Sequence, residues 1–147
     1  MSQENVEVVR RCFDLLNRDG PGALDEIIDE LCDPEVEILR AVGRLPDADV
    51  SRVRGREAVK AWFSELYGTL DIRLEADEFI DAGDSVVVVF RQMVRGRGSG
   101  VELINRFAFA YGFRMGKVTS MDGYRTKREA LEAVGLSEQD AHADSQA

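Results

Sequence analysis

The spacing of the apolar residues changes at Gly68, and this change constrains the fold more than any other feature of the chain. Before it, apolar residues recur every three or four positions. In SQENVEVVRRCFDLLNR, Val6, Val9, Phe13 and Leu16 mark one face of a helix that Ser2 can cap and Glu4 supports in its first turn. The breaker DGPG separates it from a second helix, with Leu24, Ile27, Ile28 and Leu31 on its apolar face and Pro34 expected to end it. A short strand, EVEILRA, and an irregular polar loop, VGRLPDADVSR, come next. The third helix has Val59, Trp62, Phe63 and Leu66 on one face and closes near Gly68. Beyond Gly68, IRLEADEFID, SVVVVFRQMVR, VELINRFAFAYGF and KVTSMDGYR are rich in β-branched and aromatic residues, with AGD, GRGSG and RMG turns between them. They read as consecutive antiparallel strands. KREALEAVG adds a short helix, and SEQDAHADSQA is a polar tail.

Helices followed by a strand meander imply an α+β fold, with three N-terminal helices packed on one face of a curved, mainly antiparallel sheet. The 147 residues suit one domain, expected over residues 1–136, with a disordered tail over 137–147. Hydrophobic residues make up 44% of the chain and charged residues 32%, and no apolar run approaches the roughly 20 residues of a membrane span. No membrane partner is expected. The segment MSQENVEVVRR lacks the basic and apolar regions of a secretory signal, so a cytoplasmic location is expected. A net charge of −9 repels a polyanion and argues against nucleic acid as a partner. Cys12 and Cys32 are too few for a disulfide framework, and no CxxC pair or histidine cluster suggests zinc. Both are expected to be buried free thiols, and neither a metal nor a cofactor is expected.

Alternation along VELINRFAFAYGF separates two sets of side chains. Leu103, Asn105, Phe107, Phe109, Tyr111 and Phe113 are large and mostly aromatic, which suits a cavity wall. Glu102, Ile104, Arg106, Ala108, Ala110 and Gly112 become small toward the end. Small residues let another surface approach closely, and either a second copy of the chain or a crowded, strongly twisted sheet accounts for them. GRGSG precedes a strand and not a helix, so it reads as a hairpin turn and not a phosphate loop.

The segments ENVEVVRRCFDLLNRDG, GREAVKAWF, FIDAGDSVVVVFRQMVRGRGSGVEL and GKVTSMDGYRTKREALEAVGL, in that order over residues 3–136, resemble the nuclear transport factor 2-like superfamily. Within it they are most similar to SnoaL-like actinobacterial proteins. The resemblance implies a cone-shaped fold whose helices close the concave face of the sheet into a pocket for a small apolar or aromatic ligand. It also implies a homodimer packed through the outer sheet face, where Asp122 and Tyr124 would sit. Asn105, Phe107, Phe109 and Tyr111 are then pocket residues, with Cys12, Ile38 and Met121 beside them and Trp62, with Leu16 and Leu66, either core or pocket roof. Matching SVVVVFRQMVR to the family's corresponding strand turns Val87, Val89, Arg91 and Met93 inward. Arg91 would there meet either the polar end of a ligand or a structural acid such as Glu78. Asp47 and Asp49 are within reach of the pocket mouth on this reading.

The resemblance also allows known catalytic sets to be compared. Steroid isomerases use a carboxylate base with a tyrosine and a protonated aspartic acid. The matching positions here are Ile38, Cys12 and Asn105, of which only Asn105 can donate a comparable hydrogen bond. Limonene-type epoxide hydrolases use an Asp-Arg-Asp relay; Arg91 matches the arginine, but Met93 and Gly123 stand at the acids. Histidine-dependent dehydratases find only His142, in the tail. Two functions stay open: a cofactor-independent isomerase, cyclase or hydrolase acting on an apolar carbonyl or polyketide-like compound, and a non-catalytic ligand-binding or regulatory protein.

Overall fold

The computed structural model describes residues 2–40, 53–68 and 70–137; Asp47, Asp49 and His142 lie outside the described residues. Helix α1 (Ser2–Asp19) carries Glu4 in its first turn and Arg18 in its last, each opposite in sign to the helix end it occupies. Gly20, at φ 65°, and Pro21 turn the chain through a short 3-10 segment into α2 (Leu24–Leu31). Strand β1 (Cys32–Arg40) begins where α2 ends and takes in Pro34, which sits where the ladder is irregular between Cys32 and Glu37. Then come β2 (Val53–Arg54), α3 (Arg56–Tyr67), β3 (Leu70–Asp81), β4 (Ser85–Gly96), β5 (Glu102–Arg114), β6 (Lys117–Tyr124) and α4 (Lys127–Ala133).

The six strands form one curved sheet in the order β2-β1-β6-β5-β4-β3, antiparallel except where β1 runs parallel to β6. The expected α+β architecture is present. Helices α1 to α3 cover the concave face, where Val9, Phe13, Ile28, Val59, Val88 and Phe90 join one core. Val6, Val9, Phe13 and Leu16 of α1, Ile27 and Ile28 of α2, and Val59, Trp62 and Phe63 of α3 pack in the core as the helical spacing marks them; the side chain of Leu66 lies outside the described residues.

The convex face is also covered, by α4. Ala130 and Leu131 pack on Ile80, Val87, Ala108 and Ala110, with Tyr124 beside them. The side chain of Thr126 accepts a hydrogen bond from the Glu129 N–H at 3.1 Å and caps the helix. Ala108 and Ala110 of β5 therefore receive α4, and Ala108 is completely buried within the one chain.

A correction concerns β4. In the β4–β5 ladder Val86 faces Tyr111, Val88 faces Phe109, Phe90 faces Phe107 and Gln92 faces Asn105. Residues directly opposite share a face of the sheet. The concave set of β4 is therefore Val86, Val88, Phe90 and Gln92. Val87, Val89, Arg91 and Met93 point to the convex side, opposite to the inward placement that the family match suggested.

Candidate functional site

The aromatic row of β5 forms the concave wall as its alternation suggests. Phe90, fully buried, lies at its centre, with ring centroids 4.5 Å from Phe109, 6.1 Å from Phe107 and 5.6 Å from Phe13 of α1. These tilted and edge-on contacts fill one part of the cone. Another part keeps a partly enclosed space of about 50 Å³ between the three helices and strands β1, β5 and β6, bounded in part by Cys12, Ile28, Ile38, Val59, Tyr111 and Met121. That is room for a few water molecules, well short of the roughly 300 Å³ of a site for a drug-sized ligand.

Of the residues expected at a pocket, Cys12, Ile38, Tyr111 and Met121 meet at this space. Phe107, Phe109 and Trp62 pack on the same core without bounding it. Asn105 is half-buried further along the sheet, beside Gln92. Ile28, Val59 and Phe63 also bound the space. Helical spacing marks them as apolar stripes, but nothing in the spacing says that the stripes leave a gap.

Burial sets the chemistry here. Desolvation pushes the Cys12 thiol up to about 12 and the Cys32 thiol up to about 11. Burial also holds the Tyr111 phenol well above its ordinary range, with the two thiols adding to the effect, and lifts Tyr67 to about 12. At pH 7 all of these groups are neutral, so the space offers two weak S–H groups and one phenolic hydroxyl but no thiolate nucleophile. No carboxylate, histidine or lysine bounds it among the described residues. The described residues also contain no group of three or more metal-ligating side chains.

The pKa shifts predict an alkaline limit to stability. Each of these acids ionises at a higher pH in the folded chain than in the unfolded one, so their contribution is complete below the unfolded thiol value of 9.0 and is lost as pH rises toward the folded values. Thermal melts between pH 7 and pH 11 should show a flat midpoint up to about pH 9 and a falling one beyond it. An unchanged midpoint at pH 11 would contradict the burial of these groups.

Arg91 belongs to a different place. Its Nε donates to Asp77 Oδ1 at 3.1 Å, and its Nη2 lies 3.1 Å from Glu75 and 3.0 Å from Asp77. A bulge between Ala76 and Glu78 supplies Asp77 as an extra residue of β3. Glu78 is taken by Lys127, whose Nζ donates to it at 2.9 Å. Val89 packs near α4, and Met93 is half-buried on the same convex face. Arg91 is thus a surface ion-pair residue that borders a groove between α1 and the β3 edge. Replacing it with methionine is expected to change affinity at the concave face by less than about twofold, since Arg91 does not bound the space beside Tyr111. Calorimetric titration of parent and Arg91→Met checks this.

Residues 9–121 match the SnoaL-like domain family. The chain belongs to this family. An NTF2-like protein of unknown function from Burkholderia pseudomallei matches this SnoaL-like domain with a TM-score of 0.70 and 21% identity, over 90% of this chain and 98% of its own. TerC, crystallised with polyporic acid, matches with a TM-score of 0.69 and 22% identity, over 89% and 98%. A candidate SnoaL-like polyketide cyclase from Jannaschia sp. CCS1 gives 0.68 and 20%, over 90% and 91%. At these identities the likeness is one of fold. No curated protein matches this chain in sequence. No helix among the described residues is long and apolar enough to cross a membrane.

Within the SnoaL-like domain, the positions matched to known catalytic sets hold groups that cannot take a proton at neutral pH. Ile38 and Cys12 are buried at the space, and Gly123 faces Phe109 across the β5–β6 ladder on the concave side. The match of Arg91 and Met93 to an epoxide-opening relay fails on direction as well, because both point away from the concave face.

Proposed function

We propose that this SnoaL-like domain holds a small apolar or aromatic ligand on the concave face, with the Tyr111 hydroxyl donating a hydrogen bond to a carbonyl or similar acceptor. The observation that carries this reading is the partly enclosed apolar space bounded by a buried tyrosine that stays neutral. One apolar end of the ligand enters that space. Phe107, Phe109 and Trp62 offer aromatic surface to the rest, and Asn105 offers a second donor. A larger ligand requires side chains to move, and Met121, unbranched and only half-buried, is suited to that. The complex of TerC with polyporic acid supports ligand retention by this fold.

Retention without chemistry is the favoured form of the proposal, because proton transfer beside a carbonyl needs a positioned base and the described lining supplies none. The second form is a cofactor-independent reaction on an apolar carbonyl or polyketide-like compound, in which Tyr111 and Asn105 polarise the carbonyl as fixed donors. Calorimetric titration of parent and Tyr111→Phe with an aryl ketone and its hydrocarbon counterpart tests the shared core of both. The ketone should bind Tyr111→Phe about fivefold more weakly than parent, the effect of one neutral hydrogen bond, and the hydrocarbon should not discriminate. Equal ketone affinity for the two proteins would remove Tyr111 from the site.

A further inference from the structure

The sheet has an open edge in its interior. Strand β6 covers β5 only from Ala108, which faces Tyr124, to Arg114, so among the described residues no strand lies beside β5 over residues 102–107 on that side. The phase of the ladder says which backbone groups are free there. Gly96 N–H bonds to the Val101 carbonyl at one end of the β4–β5 hairpin, and Phe113 N–H bonds to the Asp84 carbonyl at the other. Odd-numbered residues of β5 therefore bond to β4, and the N–H and C=O groups of Glu102, Ile104 and Arg106 point to the open side.

Among the described residues this edge lacks the protection that the β3 edge has. On β3, the Asn17 side chain takes both backbone groups of Leu74, a bulge follows, and Asp71, Arg73, Glu75 and Asp77 line the strand. Strand β2 has two residues, Val53 and Arg54, among those described. On the β5 overhang, Val101 and Leu103 are each 59% exposed and Ile104 is 73% exposed. An exposed, apolar strand edge is a template for another strand.

We propose that the overhang pairs antiparallel with the same segment of a second copy of this chain, about a two-fold axis at Ile104. The charges select this partner and this register. In VELINRF, Glu102 stands two residues before Ile104 and Arg106 two residues after it. Pairing about Ile104 places each Glu102 directly across from the second copy's Arg106. Both side chains are exposed, and neither has an ion-pair partner among the described residues. Within its own sheet Arg106 faces Arg91, a like charge that a carboxylate from the second copy offsets. Centring the pair on Leu103 or Asn105 instead leaves both charges unmatched. The pairing also ends where it must, because Ala108 already faces Tyr124. The inference is independent of the concave-face reading, and its test involves no ligand.

Sedimentation equilibrium between about 1 and 100 µM tests it, on the parent, Ile104→Pro, Glu102→Arg and the double variant Glu102→Arg/Arg106→Glu. The parent should dimerise. Ile104→Pro removes an N–H that faces away from β4, so the hairpin survives and the dimer dissociation constant rises at least about tenfold. Glu102→Arg sets like charges across the axis and should weaken the dimer to a similar degree. The double variant reverses both charges and should return to within about threefold of the parent. Far-UV circular dichroism confirms that each variant is folded, and if Ile104→Pro is not, the charge pair alone decides. A monomeric parent, a dimer indifferent to the single variants, or a double variant as weak as Glu102→Arg overturns the proposal.

Discussion

Phe90→Ala is expected to lower the stability of the chain by about 3–5 kcal/mol. Phe90 is fully exposed to neighbours and not at all to water: its ring contacts Phe13 on α1 and Phe107 and Phe109 on β5. Those rings are fixed to separate elements, so they cannot close together over the space that the truncation leaves. The cost of the void therefore adds to the lost transfer energy, in the manner of large-to-small changes in other cores. Urea denaturation of parent and variant measures it. A loss below about 1 kcal/mol would mean that helix α1 and β5 can collapse on each other, and that the wall of the concave face is not rigid.

Leu131→Asp should have an effect of comparable size, at about 3 kcal/mol or more, because it places a carboxylate without a partner in an apolar contact. Leu131 is fully buried against the convex face, among Ile80, Val87, Ala108 and Ala110. Detaching α4 avoids the buried charge but uncovers this face, so the stability is lost either way. Hydrogen exchange gives a second readout: the amides of Lys127–Ala133 should lose protection while those of β4 and β5 keep it. Unchanged protection of α4 would contradict its role as the cover of the small residues on β5.

The elements were legible in the sequence to different depths. The stripes of α1, α2 and α3 and the alternation of β5 each carry a period that only one structure satisfies. Strand β4 carries none, because Val86, Val87, Val88 and Phe90 are all buried, some under the helices and some under α4. Its facing must come from the hairpin, and there one residue decides everything. Reading GRGSG as a five-residue turn sets odd-numbered residues of β4 opposite odd-numbered residues of β5. In the structure Gly96 belongs to β4 and bonds to Val101, which leaves an even loop and sets odd opposite even. A one-residue slip in register moves every side chain to the other face, so Arg91 and Met93 left the site together.

The other omissions have a different cause. KREALEAVG reads as a short helix, but Ala130 and Leu131 are too few apolar residues to say which surface receives it. The space beside Tyr111 depends on how far the stripes of α2 and α3 stand from β1 and β6, a distance that no local pattern encodes. Asn17 is hidden for a related reason: an asparagine near a helix end reads as a solvated residue, whereas here it takes the backbone groups of Leu74, far away in sequence.

The claim that the concave face is the ligand site is tested most directly by an anomalous difference map from crystals soaked in a bromine-substituted aryl ketone. The account predicts a bromine peak between the aromatic row of β5 and the helices, with the ketone oxygen about 2.5–3.0 Å from the Tyr111 hydroxyl. A peak confined to the convex face, or to the groove beside Arg91, with the space next to Tyr111 unoccupied at saturating ketone, would contradict it.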